Sequence, residues 1–113
     1  MFEVSKCFCK NIKMFKTLEE LVEIIRSRKN STQEQSYTSQ LLSNKNLSKE
    51  KVEEEVQELI EAIQKNKNQT HEAADLLYHL LVFLEANNIK IEDVMIELKK
   101  RQQKSGLEEK LSR

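Results

Sequence analysis

No proline and only one glycine, Gly106, interrupt this chain of 113 residues. Those two residues are the commonest helix breakers, so helix ends must be capped by Ser, Thr and Asn side chains instead. Between such caps the apolar residues recur at intervals of three and four. That is the period of an amphipathic helix and not the alternation of a strand. The fold class that follows is all-α, a helical bundle of about four to five helices. A chain of this length forms one domain with a modest core. Helices this long leave apolar faces that a small bundle does not fully cover, so completion by dimerisation, as a homodimer, is expected.

Residues 1–16 read as an N-terminal extension, 17–103 as the helical domain and 104–113 as a polar C-terminal tail. The first helix is predicted to open at Thr17, where Thr17-Leu18-Glu19-Glu20 has the form of a capping box. Its apolar stripe is Leu18, Leu21, Val22 and Ile25, and it fades near Arg28-Lys29-Asn30. A polar loop over Ser31–Gln35 and a short helix or turn over Ser36–Leu42 follow. The next helix runs from about Ser48 to Asn66 with Val52, Val56, Leu59, Ile60 and Ile63 facing inward. After it, Gln69 to Ala86 is apolar around nearly its whole circumference and reads as central and buried. Asn87-Asn88 closes that helix. The last one spans about Ile91 to Gln103, with Ile91, Val94, Met95 and Leu98 inward.

Charge narrows the partners. Nineteen acidic and nineteen basic residues balance to zero, so neither a nucleic-acid surface nor a polybasic membrane patch is expected. The apolar run Leu76–Leu84 is far too short to span a bilayer. The N-terminal residues lack the apolar core of a secretory signal. Cys7 and Cys9 flank Phe8 and make a poor disulfide framework, which fits free thiols in a reducing, cytoplasmic setting.

The chemistry lies in two carboxylate pairs, Glu55 with Glu58 and Glu72 with Asp75. Each has i,i+3 spacing, which puts both acids on one helix face with Cβ atoms roughly 5–6 Å apart. Two such helices side by side converge four acids on one small volume. Like charges about 4 Å apart repel by about 4 kcal/mol at an effective dielectric near 20. The cluster therefore calls for a cation, and all-oxygen ligation suits Mg²⁺ first, with Mn²⁺ or Ca²⁺ as alternatives to it and zinc disfavoured. On a helical wheel Lys51, Glu55, Glu58 and Ala62 border the apolar stripe, while Glu53, Glu54, Glu61 and Lys65 lie toward water.

Blander readings compete with each of these. A solvated face accounts equally well for the acids from Glu50 to Glu58 in a chain one-third charged. Glu72 and Asp75 also suit the exposed first turn of a helix. His79, one turn after Asp75, reads as a satisfied core histidine or as a hydrogen-bond partner of the Asp75 carboxylate. Lys51 reads as a phosphate contact or as an i,i+4 partner of Glu55, and Arg28 and Arg101 as phosphate contacts or surface pairs.

Lys51-Val52-Glu53-Glu54-Glu55-Val56-Gln57-Glu58, then thirteen residues, then Glu72-Ala73-Ala74-Asp75 resembles the Glu-Glu-x-x-Glu … Glu-x-x-Asp signature of the all-α nucleotide pyrophosphohydrolases, the MazG-like superfamily. Ser36-Tyr37-Thr38 followed by Leu41-Leu42, and the string from Asp75 to Val82, resemble the phosphoribosyl-ATP pyrophosphohydrolase family of histidine biosynthesis. The likeness covers about residues 17–101. It implies a fold that is usually dimeric, a nucleotide as small-molecule substrate, and Mg²⁺-dependent hydrolysis releasing pyrophosphate. The ligand set it implies is Glu55, Glu58, Glu72 and Asp75. Glu54 or Glu55 would orient or deprotonate the attacking water, and Lys51 would hold phosphate. Selectivity for the added ribosyl phosphate is placed on Arg28, Ser36, Tyr37, Thr38 and Lys51, the hydroxyls acting as donors. Glu53 departs from the family pattern, which often has glycine there. A housecleaning pyrophosphohydrolase of another nucleoside triphosphate and a non-enzymatic helical interaction module are the alternatives.

Overall fold

The computed structural model describes residues 14–30 and 36–103. Five helices make up the described residues: α1 (Met14–Arg28), α2 (Tyr37–Ser43), α3 (Lys45–Lys65), α4 (Gln69–Ala86) and α5 (Ile91–Gln102). Cys7, Cys9, the loop expected over Ser31–Gln35 and the tail from Lys104 lie outside them. None of the five is long and apolar enough to cross a membrane.

In a chain so poor in glycine, asparagine supplies the left-handed backbone that turns require. Asn66, Asn68 and Asn88 have φ of 55°, 61° and 59°, a conformation asparagine tolerates better than other non-glycine residues. Asn66 ends α3 there, its N–H donating to the carbonyls of Ala62 and Ile63. Asn44 opens α3 by accepting from the Leu47 N–H at 3.1 Å. That cap starts α3 at Lys45, ahead of the expected Ser48. α1 likewise opens at Met14 and carries Thr17 in its interior, so the capping-box motif at Thr17 is not used as a cap.

The short connection 66–68 makes α3 and α4 an antiparallel hairpin, the most extensive helix pairing of the fold. α1 and α2 close over one side of it. There Ile25, Leu41, Leu81 and Val82 form the buried core, with Leu21, Val22, Leu47 and Tyr78 packed around it. Charge ties the periphery: Arg26 of α1 donates to Glu85 of α4 at 3.3 Å and to Glu92 of α5 at 2.7 Å. Lys29 pairs with Glu85 at 3.0 Å.

The inward faces differ from the expected ones. On α3 the buried residues are Ser48, Glu55 and Ala62, while Val56, Ile60 and Ile63 are exposed. α4 is central, packing against each of the other four described helices, but it is not buried all round: His79, Leu81, Val82 and Ala86 are buried, while Leu77 and Leu80 remain 51% and 37% exposed. On α5, Ile91 and Val94 are half-buried, whereas Met95 and Leu98 face outward. The physical reason is close approach. Small residues and the acid strip let the hairpin's two backbones meet, and the bulkier stripe is rotated away. Val56, Ile60 and Ile63 stand one, five and eight positions after Glu55, and Ala73, Leu77 and Leu80 stand one, five and eight after Glu72. At ~100° per residue both sets lie about a quarter-turn or slightly more from the mutually facing acids. In an antiparallel pair equal rotations swing to the same side, so the two sets form one apolar face opposite α1 and α2.

Candidate active site

The carboxylates meet where α3 crosses α4. Oxygens of Glu55, Glu58 and Glu72 all lie within 4.8 Å of one another, and so do ligand atoms of His71, Glu72 and Asp75. Glu72 belongs to both trios and links them. Glu55 is only 8% exposed, and its Oε2 and that of Glu72 are buried without a hydrogen-bond partner. A desolvated, unpartnered carboxylate oxygen beside two other acids is costly. The arrangement is relieved by a proton or by a hard cation, and acidic side chains so placed can bind a metal.

Electrostatics records the crowding. Burial pushes the Glu55 carboxyl up to about 7, helped by a carboxyl–carboxyl hydrogen bond with Glu58 and by the charges of Glu58, Asp75 and Glu72. Glu72 is raised for the same reasons, with His71 opposing. His71 Nε2 is 3.3 Å from Asp75 Oδ2. From sequence His71 is weighed only as a zinc ligand, for which no spacing is complete, although its i,i+4 relation to Asp75 was there to be seen.

Other candidates stand around this cluster. Glu54 is outside both trios and pairs with Lys51 at 3.4 Å, so Lys51 takes Glu54 as its partner and not Glu55. Glu61 and Lys65 face water as expected. With Glu58, Lys67, Asn68 and Glu72 they line an open groove of about 300 Å³ beside the acids. Lys65 and Lys67 are thus cations near the cluster that sequence reasoning did not single out, because ordinary lysines carry no motif. Arg28 is exposed at the end of α1, and its backbone carbonyl accepts from Ser39 Oγ at 3.2 Å. Arg101 pairs with Glu97 on α5, in keeping with the surface-pair reading.

The hydroxyls expected to serve substrate are already engaged within the fold. Ser36 Oγ caps α2, accepting from the Ser39 N–H at 3.0 Å. Thr38 Oγ1 shares a hydrogen bond with the Tyr78 hydroxyl. The Tyr37 hydroxyl lies 3.2 Å from His79 Nε2. His79 Nδ1 approaches the Asp75 backbone carbonyl at 2.9 Å, where a bond to the Asp75 carboxylate was one sequence expectation. Burial raises the Tyr37 phenol above its usual range against the pull of Lys51, so Tyr37 keeps its proton at neutral pH. Because Ser36 is a cap, Ser36→Ala should cost about 1 kcal/mol, or about 4–8 °C in melting temperature. An unchanged thermal melt would remove the cap from the account of α2.

The family model described as phosphoribosyl-ATP pyrophosphohydrolase matches residues 18–102, which includes every residue of the acid cluster. The chain belongs to this family. Among curated proteins it is 43% identical over 103 residues to a phosphoribosyl-ATP pyrophosphatase of Methylobacterium nodulans, covering 86% of this chain and 94% of that one. A phosphoribosyl-ATP pyrophosphatase of Rhizobium johnstonii is 40% identical over 103 residues, with the same coverage of each chain. One of Roseobacter denitrificans is 42% identical over 103 residues, covering 86% and 95%. No solved structure gives a significant match.

Proposed function

We propose that this chain hydrolyses phosphoribosyl-ATP to phosphoribosyl-AMP and pyrophosphate, a step of histidine biosynthesis, with Mg²⁺ held by Glu55, Glu58, Glu72 and Asp75. Membership of the family supports the reaction. The observation that carries the site is the pair of buried, unpartnered oxygens of Glu55 and Glu72 within the trio completed by Glu58. Those donors are hard and anionic and match Mg²⁺ chemistry; Mn²⁺ suits them too.

Held by these four carboxylates, Mg²⁺ would supply neutralisation of phosphate charge and acidification of a water. The chain's own residues do the rest. Glu55, buried within the acid trio while Glu54 stands outside it paired to Lys51, is the better placed of the two acid–base candidates to take the water's proton. Glu54 holds the Lys51 ammonium at 3.4 Å, which keeps that point charge beside the cleft for phosphate. Tyr37 feels the charges of Lys51, Glu54 and Glu55, and Arg28, Ser36 and Thr38, at the end of α1 and the start of α2 beside it in sequence, complete the substrate-binding set of this reading. The apolar face of Val56, Ile60, Ile63, Leu77 and Leu80 supports a homodimer formed by a second copy of the hairpin.

Two measurements test this reading. Pyrophosphate release with Mg²⁺ should strongly favour phosphoribosyl-ATP over ATP and dUTP; faster turnover of a simple triphosphate would assign the chain to housecleaning chemistry. Millimolar Mg²⁺ should raise the melting temperature and EDTA lower it, because a ligand at 100 times its Kd stabilises by about 2.7 kcal/mol. Identical melts in both would argue against a preformed cation site.

A further inference from the structure

We propose that His79 is a positioning residue that fixes the Tyr37 hydroxyl as a hydrogen-bond acceptor for the nucleotide. The inference rests on the proposed function for the identity of the nucleotide. The geometry itself needs no substrate.

It follows from an inventory of protons. A backbone carbonyl can only accept, so His79 Nδ1, 2.9 Å from the Asp75 carbonyl oxygen, must carry a hydrogen. In a neutral imidazole the other nitrogen is then bare. Tyr37, 3.2 Å from Nε2, has one proton and must donate it there. What Tyr37 has left for the cleft is lone pairs. The ring that enforces this is tightly held: His79 is buried at 8% exposure. The rings of Tyr78 and Tyr37 meet it edge-on, with centroids 4.9 Å and 5.9 Å away. Tyr37, by contrast, is 45% exposed and lies within the electrostatic reach of Lys51, Glu54 and Glu55, so its oxygen borders the candidate active site.

The chemical consequence is a selection rule. Phosphate oxygens only accept, and an oxygen already committed as donor to His79 offers them nothing. A ribose hydroxyl or an N–H of the base donates, and Tyr37 is matched to that class. The added ribosyl phosphate of the substrate is therefore met at its phosphate by the cations around the cleft, and Tyr37 reads a sugar or base donor. This differs from the expectation that Ser36, Tyr37 and Thr38 serve as hydroxyl donors.

The full chain, labelled with ¹⁵N-histidine, tests the first half directly, since it contains only His71 and His79 and a His71→Gln sample assigns the signals. At about pH 8, where free imidazole is neutral, His79 should show a protonated Nδ1 and a bare Nε2, and Tyr37→Phe should shift the Nε2 resonance. A protonated Nε2 overturns the inference and leaves the proposed function untouched. Steady-state kinetics with phosphoribosyl-ATP and Mg²⁺ test the second half. Tyr37→Phe should raise KM about 3- to 10-fold with kcat within about twofold. His79→Gln, whose carbonyl can accept from Tyr37, should stay near the parent. His79→Leu should match Tyr37→Phe, with the double variant no worse than either. If His79→Leu fails to fold, the contrast of His79→Gln with Tyr37→Phe decides. An unchanged KM in Tyr37→Phe overturns the acceptor role. A parent with no turnover of phosphoribosyl-ATP overturns the proposed function, and the substrate half of this inference with it, even where the tautomer is as assigned.

Discussion

Replacing Glu55 with glutamine should lower pyrophosphate release on the order of 10³-fold, while making the metal-free protein more stable near pH 8. The first effect follows from removing a charged ligand from a site that supplies several kcal/mol of transition-state charge stabilisation. The second follows from proton linkage. The Glu55 carboxyl is raised from 4.5 to about 7 in the folded chain, so the native state binds a proton more readily than the unfolded one. Its stabilising contribution is fully present below about pH 4.5 and is lost as pH rises through about 7. By about pH 8 the deprotonated carboxylate costs on the order of 3 kcal/mol, which the neutral amide avoids. A urea midpoint measured in EDTA should thus fall between about pH 5 and 8 for the parent and fall less steeply for Glu55→Gln, in which only the raised Glu72 remains. Excess Mg²⁺ should restore the parent and not the variant. Glu50→Gln, on the exposed side of α3, serves as the control in both assays. Full turnover by Glu55→Gln would remove Glu55 from the site, and a parent midpoint that does not change with pH would contradict its burial among acids.

Leu77→Lys should convert the proposed homodimer to monomers at micromolar concentration, raising its Kd about 10³-fold or more. Leu77 is half exposed in the single chain and stands between Ala73 and Leu80 on the face shared with Val56, Ile60 and Ile63. Burying a leucine is worth about 1.5–3 kcal/mol, and in a twofold interface each substitution counts twice. A lysine adds the cost of desolvating a charge. Light scattering at about 10 μM and the concentration dependence of the melt both read the outcome. A parent that already runs as a monomer, or a variant that stays dimeric, would leave the apolar face without this explanation. Turnover separates the two interpretations further, because the acid trio of Glu55, Glu58 and Glu72 lies within one chain.

Much of this molecule was legible in its residues. The absence of proline, the scarcity of glycine and the 3.6-residue period specify helices, and α4 occupies the span 69–86 read from its sequence. Helix starts were less legible. A capping motif records only a local possibility: the Asn44 cap starts α3 at Lys45, ahead of Ser48, and α1 runs from Met14 straight through Thr17. The convergence of Glu55, Glu58 and Glu72 could be anticipated because i,i+3 spacing fixes which acids share a face, whatever the rest of the chain does.

Which face turns inward was a different matter. A helical wheel ranks faces by hydrophobicity, and on that ranking Val56, Ile60 and Ile63 belong inside. Only the paired helices show that Ser48, Glu55 and Ala62 take that place, since close approach of two backbones favours small side chains and leaves the bulky stripe for another surface. Hydrogen-bond direction is likewise invisible in a string of letters. Tyr37 and Thr38 look like free donors until α2 is laid against α4, where His79 and Tyr78 claim their hydroxyls, while Ser36 is taken locally as the cap of α2. Sequence by itself determined the helices and the acids they carry, because both follow from local periodicity. The rotation of the helices and the long-range partners of polar atoms were decided by tertiary structure, because those depend on contacts between residues as much as 66 positions apart.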